Sequence, residues 1–301
     1  MTAVKPCVFI HTNHKQYIGA LVGQYSFKRN SPNADKFDVN IIHSDDHPFL
    51  RAKEGRSFLR AGGQRVWHMD DLQSFTPLRF MVPELMGYEG QAVVVDPDVF
   101  AVGDVYELLS RNMGGKAIMC RGRTGSKGAV GGLATSVMLL DCVRLRHWQG
   151  EKQFNELFEG KRDYMDWILL KDEPKGSIGI FEDEWNDFDR LTGNTKLLHN
   201  TKRQTQPWKS GLPIDFTWAD KKVEPLKPAT WPRLIKRWQT ASQKTYKSHP
   251  DSNQERFFFG LLRECLDKGV VAEDRLREEM RQNHLRHDAL ELAGRTPPLA
   301  A

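Results

Sequence analysis

Cysteine is scarce in this chain, with four residues in 301, at Cys7, Cys120, Cys142 and Cys265. No CxxC pair and no CxxC…HxxxH arrangement occurs, which argues against both a disulfide framework and a structural zinc site. Cys7, Cys120 and Cys142 each lie in or beside an apolar run, the usual setting of buried free thiols. Long hydrophobic runs are missing too. The apolar part of MTAVKPCVFIHT is too short for a signal peptide, and no window approaches a spanning helix, so cytoplasmic residence is the expectation. Charge of one sign is also lacking: 44 basic against 39 acidic residues leave a net +5, too little to point to a nucleic-acid partner. No internal repeat or low-complexity segment appears.

What is present is the material of a packed α/β protein. Hydrophobic residues make up 39% and charged residues 28% of the chain, and eight tryptophans with sixteen phenylalanines supply large core side chains. Short apolar runs at 7–12, 37–43, 65–69, 92–96, 116–120 and 136–141 have the length and β-branched content of strands. AVVVD (92–96) reads as a strand buried on both faces, as in a parallel sheet. Between the first two runs, Tyr17, Leu21 and Tyr25 recur at helical spacing with Ile18 and Val22, predicting a helix over 17–29. Strand, helix, strand opens a doubly wound sheet, and such sheets bind ligands at the carboxyl ends of their strands.

The pattern divides the chain into a catalytic core over 1–211 and a Pro/Trp-rich connector with a helical C-terminal region over 212–301. Helices are expected at 232–244, 253–268 and 272–292, with Phe257, Phe258, Leu261, Leu262 and Leu266 on one apolar face of the middle one. ELAGRTPPLAA (291–301) reads as a frayed tail. Trp231, Lys236, Arg237, Trp238, Lys244 and Lys247 interleave aromatic and basic residues. That pattern fits a helix packed on the core better than its alternative, peripheral association with an anionic membrane at its inner face.

The sharpest chemical feature is AVVVDPDVF (92–100). A buried strand ends in Asp96 and a second acid, Asp98, follows two residues later. Alternation along extended chain puts both carboxylates on one side, with Pro97 stiffening the turn between them. Two hard oxygen ligands at a strand's carboxyl end suit Mg²⁺ or Mn²⁺ and a diphosphate. Asp104 and Glu107 then form a D-x-x-E capping box, so a helix should start there. Asp183-Glu184 and Asp187-Phe188-Asp189 have similar acidic spacing but no strand before them, and read as solvated loop. The second feature is LLHNTKRQTQPWK (197–209), where a short apolar run delivers His199 into a loop rich in Lys and Arg. An imidazole beside two carboxylates shifts metal preference towards Mn²⁺. Lys202, Arg203 and Lys209 are available there to neutralise a departing diphosphate.

Five pieces, taken in order, resemble the glycogenin-like and galactosyltransferase-like enzymes of glycosyltransferase family eight. They are CVFIHTNHKQYIGALVGQYSFKRN (7–30), the stretch 75–109 around DPD, SVMLLD (136–141), MDWILL (165–170) and LLHNTKRQTQPW (197–208). The resemblance spans roughly 7–208 and implies a GT-A fold, a Rossmann-like, mostly parallel sheet flanked by helices. It implies transfer of a hexose, with retention of configuration, from a nucleotide diphosphate sugar, with UDP as the expected carrier. The expected acceptor is a saccharide or lipid-linked saccharide hydroxyl. By the same resemblance Thr12, Asn13 and Tyr17 hold the nucleoside, Arg79 reaches the donor phosphates, and Asp96 contacts ribose or metal. Asp98 and His199 complete the metal site, Trp208 closes the phosphate loop with Lys209 just beyond, and Asp166 lies near the reacting sugar face. Mn²⁺ is the expected metal, with Mg²⁺ the alternative.

The chain also departs from the family. Its phosphate loop is one residue longer than HxxGxxKPW, lacks the glycine, and carries Gln206 where lysine is usual. Trp167 replaces the glutamine after Asp166, and Thr135-Ser136 stand for Asn-Ser. Two rival readings remain. One is a sugar-nucleotide nucleotidyltransferase, against which HTNHKQYIG (11–19) lacks a glycine-rich phosphate loop. The other is a non-catalytic nucleotide-sugar-binding protein of the same fold, to which Gln206 and Trp167 lend weight.

Overall fold

The computed structural model describes residues 4–124, 130–216 and 244–300. The central element is a six-stranded sheet. Its strands are β1 (Cys7–Thr12), β2 (Asp38–His43), β5 (Gln91–Val95), β7 (Ile118–Thr124), β8 (Val130–Asp141) and β9 (Ile178–Phe181), in the order β2-β1-β5-β8-β7-β9. β1 pairs parallel with both β2 and β5, and β9 parallel with β7. Only β8 runs against its neighbours. A hairpin of β3 (Ser57–Arg60) and β4 (Gly63–Val66) stands apart, and β10 (Asp187–Phe188), β11 (Leu197–His199) and β6 (Val99–Ala101) form a small second sheet. This is the mixed α/β architecture expected from the sequence, a mostly parallel sheet with helices on its faces.

The helices are α1 (Tyr17–Arg29), α2 (Pro48–Arg51), α3 (Val82–Leu85), α4 (Tyr106–Leu109), α5 (Gly150–Phe158), α6 (Tyr164–Ile168), α7 (Ser252–Asp267), α8 (Glu273–Arg281) and α9 (Ala289–Arg295). The run AVVV becomes a strand because every one of its side chains is buried, at 0–1% exposure, between layers. α1 crosses β6 closely. A methyl on Gly19 would stand 2.6 Å from the Pro97 carbonyl oxygen, so glycine there lets the helix backbone touch the DPD turn. A second apolar cluster joins Ile18 and Val22 of α1, Phe100 of β6 and Trp208 to Phe258, Phe259, Leu261 and Leu262 of α7. Arg29 and Tyr25 on α1 both bond to Glu264 on α7, at 2.7 and 2.6 Å. All four cysteines are free and buried.

Several local expectations need correction. The expected strand at 65–69 is the second arm of the hairpin, ending at Val66, and Trp67 is taken into the core beside Phe58 and Phe154. The helix expected over 272–292 is two helices, broken where Asn283 adopts a positive φ of 59°, a conformation asparagine tolerates. The tail is docked. Its first residues belong to α9, Leu299 packs against Gly260, and the Ala300 carbonyl accepts from Arg29 at 2.8 Å. Asp104 does accept from the Tyr106 backbone N–H at 2.9 Å. Glu107 instead turns to Lys196 at 2.9 Å, so the box is half made and the helix is one turn long. Asp187 is no solvated loop residue: it is 3% exposed and accepts from Thr195 at 2.8 Å. The expected helix at 232–244 and its membrane-facing alternative lie mostly outside the described residues, Lys244 and Lys247 excepted. Among the described residues no helix is long and apolar enough to cross a membrane.

Candidate metal centre

β5 ends at Val95, and the chain turns through Asp96-Pro97-Asp98 into β6. β11 then lies antiparallel to β6 with His199 opposite Val99, which sets the imidazole beside Asp98. The Asn200 N–H donates to the Asp98 carbonyl at 3.1 Å and locks that register. Sheet pairing thus brings together residues a hundred positions apart. One ligand atom each from Asp96, Asp98 and His199 lies within 4.8 Å of the others, so the three form a group that could hold a metal ion.

The surroundings fit that use. His199 Nε2 faces Asp98 Oδ1 at 3.2 Å, while Nδ1 lies 2.8 Å from Asn186 Oδ1. A carbonyl oxygen only accepts, so Nδ1 donates to Asn186 and Nε2 is the nitrogen turned to Asp98, available to a metal once it gives up its proton. Asn186 is held in turn: its Nδ2 donates to Ser136 Oγ at 3.1 Å and its backbone carbonyl accepts from Arg121 at 2.6 Å. Burial alone would lower the pKa of His199, but Asp98 outweighs it and raises the value. Asp98 Oδ2 accepts from Gln206 Nε2 at 3.0 Å, and Gln206 Oε1 is buried without a partner.

Asp96 sits in a cationic cradle. Arg79 Nη2 donates to its Oδ1 at 2.8 Å, and His11 Nε2 lies 2.9 Å from the same oxygen. Burial pushes the Asp96 carboxyl up, yet Arg79, followed by His11, overrides this and holds it at about 2. For His11 the balance reverses: burial dominates over Asp96, and its pKa falls. Arg79 is 4% exposed, and its other arm donates to Thr135 Oγ1 at 2.7 Å. Thr135 donates onward to the Ile168 carbonyl at 2.8 Å, tying α6 to the cradle.

The other expected site residues each have partners of their own. Thr12 and Asn13 are fully buried at the end of β1. Asn13 donates to Ser74 Oγ at 3.0 Å and leaves Oδ1 without a partner. Tyr17 opens α1 with its ring edge on His43 at 5.3 Å and the Arg275 guanidinium 5.1 Å from its centroid. Trp208 is a core residue, stacked on Phe258 at 4.8 Å with Phe100 edge-on at 5.6 Å. Lys202 bonds through its backbone N–H to Asp189 Oδ1 at 3.2 Å. Lys209 is fully buried and paired with Asp215 at 2.8 Å, and burial lowers its pKa. Asp166 lies on α6 with its carboxylate 2.6 Å from Lys171, while Asp163 caps that helix. His11 and Asn186 escaped the sequence reading as contributors, and Gln206 was read only as a departure from the family's lysine. His11 lies one place before Thr12 and was signalled only by its position at the strand end. Asn186 sits in an acidic loop with no local signal at all.

No family model matches the chain and no curated protein matches it. Solved structures do. The glycosyltransferase GlyE of Streptococcus pneumoniae TIGR4 aligns over 82% of this chain and 66% of its own, at 15% identity and a TM-score of 0.47. The galactosyltransferase LgtC, solved with donor and acceptor sugar analogues, aligns over 67% of this chain and 89% of its own, at 16% identity and a TM-score of 0.47. Mouse xyloside xylosyltransferase 1 aligns over 65% and 97%, at 13% identity and a TM-score of 0.42. This chain therefore spans just under two thirds of the length of GlyE. What the site can do follows from its own atoms.

Proposed function

We propose that this protein is a metal-dependent glycosyltransferase that takes a hexose from a nucleotide diphosphate sugar, with UDP as the carrier. The acceptor is a saccharide or lipid-linked saccharide hydroxyl. The observation that carries this reading is the convergence of Asp96, Asp98 and His199 at the carboxyl end of β5, with the imidazole held in place by Asn186. Two carboxylates and one imidazole suit Mn²⁺, with Mg²⁺ the alternative. When bound, such an ion supplies Lewis acidity to a departing diphosphate.

The chain's own residues divide the remaining work. Thr12, Asn13 and Tyr17, at the end of β1 and the start of α1, hold the nucleoside. Arg79 holds Asp96 ionised and in place. Lys202 supplies positive charge at the phosphate loop, where Trp208 anchors the loop to the core. Lys209, locked to Asp215, contributes by fixing the loop's exit. Asp166 stabilises positive charge at the reacting sugar carbon during front-face attack. Retention, the hexose and the UDP carrier rest on the resemblance of these motifs to glycosyltransferase family eight.

A second reading has one observation in its favour. Gln206 is uncharged and Lys209 is sealed in an ion pair, an arrangement that suits nucleotide-sugar binding without transfer. The test is a panel of nucleotide sugars, with and without Mn²⁺, on the wild type and Asp98→Ala. Mn²⁺-dependent binding of one donor with slow release of free sugar, both lost in the variant, is the expected result. Binding without any release supports the second reading, and no binding by the folded protein overturns both.

A further inference from the structure

A cleft opens between the β3–β4 hairpin, the 67–74 segment, the start of α6 and the loop after His199. Three arginines from different elements line it: Arg60 of β3, Arg65 of β4 and Arg203 of the phosphate loop. Their charges are not equally compensated. Arg65 is paired with Asp71 at 2.7 Å. Arg60 instead lies over the Tyr164 ring at 4.6 Å, and Arg203 over the Phe216 ring at 5.6 Å. Among the described residues neither Arg60 nor Arg203 has a carboxylate partner. Two guanidiniums line one cleft, each against an aromatic ring, and each can take a phosphate or carboxylate in bidentate fashion.

The cleft is bounded by the same segments that carry the site. Tyr164 precedes Asp166 by two positions on α6, Arg203 follows His199 by four, and Ser74 accepts the hydrogen bond from Asn13. Trp67 and Tyr164, both nearly buried, form its inner wall. The donor's diphosphate belongs at Asp96, Asp98 and His199, so an anion here comes from a different molecule. We propose that this cleft recognises a negatively charged group, phosphate or carboxylate, on the acceptor saccharide. The inference rests on the glycosyltransferase reading for the word acceptor, and on Arg60 and Arg203 for the charge.

The test titrates the full chain with glucose, glucose 6-phosphate and glucuronate by calorimetry, then repeats the titrations with UDP and Mn²⁺ present. At least one anionic probe is expected to bind tenfold or more tightly than glucose, and which one does so tells phosphate from carboxylate. Arg60→Gln and Arg203→Gln should each cost about tenfold in that binding, with Arg60→Lys recovering part of it, while circular dichroism melts stay at the wild-type temperature. Arg60→Gln should leave UDP binding unchanged. Equal affinity for all three sugars, no anion binding at millimolar concentration, or displacement of the anion by UDP would each overturn the proposal. Anion binding that survives in a protein unable to bind any nucleotide sugar would instead remove the glycosyltransferase reading and leave the cleft's chemistry standing.

Discussion

Asn186 Oδ1 lies 2.8 Å from Nδ1 of His199, and this contact holds the ring with its other nitrogen turned to Asp98. Partners of this kind, one step removed from a metal, are worth about 10- to 100-fold in metal affinity. Asn186→Ala is therefore expected to weaken Mn²⁺ binding by about that factor, read by calorimetry, while leaving the sheet intact by circular dichroism. An unchanged affinity would mean that Ser136, 3.3 Å from the same nitrogen, is sufficient to orient the ring.

Gln206 donates to Asp98 where the resembling family has a lysine. Replacing it with a cation should compete with the metal for the Asp98 charge. Gln206→Lys is expected to lower Mn²⁺ affinity roughly fivefold in the absence of nucleotide, about 1 kcal/mol of charge repulsion at a partly screened site. It should also strengthen binding of UDP alone. Equilibrium titration of each ligand separately checks both signs, and a gain in Mn²⁺ affinity would contradict the proposed geometry.

Gly19 gives a prediction opposite to ordinary helix propensity. In an exposed helix interior alanine would stabilise over glycine by about 1 kcal/mol. Here its methyl would meet the Pro97 carbonyl at 2.6 Å, between the two aspartates. Overpacking against backbone costs about 1–3 kcal/mol, so Gly19→Ala should lower the melting temperature and weaken metal binding together. A stabilised variant with full metal affinity would show that α1 can slide freely over the turn.

Glu264 joins α7 to α1 and should shape the acid limb of stability. Burial pushes its carboxyl up, but Arg29 and Tyr25 outweigh this and hold it below its ordinary value of 4.5. A depressed carboxylate stabilises the fold above its unfolded pKa, and that contribution is lost as pH falls through the folded value. Denaturant unfolding of the wild type should weaken as pH drops below about 4.5. Glu264→Gln should start less stable at pH 7 by about 1–3 kcal/mol and lose less on acidification. Parallel pH profiles for the two proteins would show that this contact adds nothing to the acid limb.

Features set by neighbours along the chain were legible from the residues alone. The helix expected over 17–29 has those bounds, and the run at 92–96 is a buried strand displaced by one residue. Periodicity and β-branching act locally, so tertiary contacts had little to override. The acids Asp96 and Asp98 were visible because a hydrophobic strand delivers them. The break at Asn283, the docked tail and the buried Lys209 were not visible. Each depends on a partner that linear spacing does not encode: a left-handed backbone residue, Arg29 on α1, and Asp215, which also accepts from the Tyr246 hydroxyl. The same holds for Asn186 and Gln206, which gain their meaning only when β11 pairs with β6 and a buried amide or imidazole must find its hydrogen bond. Strand pairing sets that encounter, because the free energy of leaving a buried polar atom unmatched is felt only once the chain has closed around it.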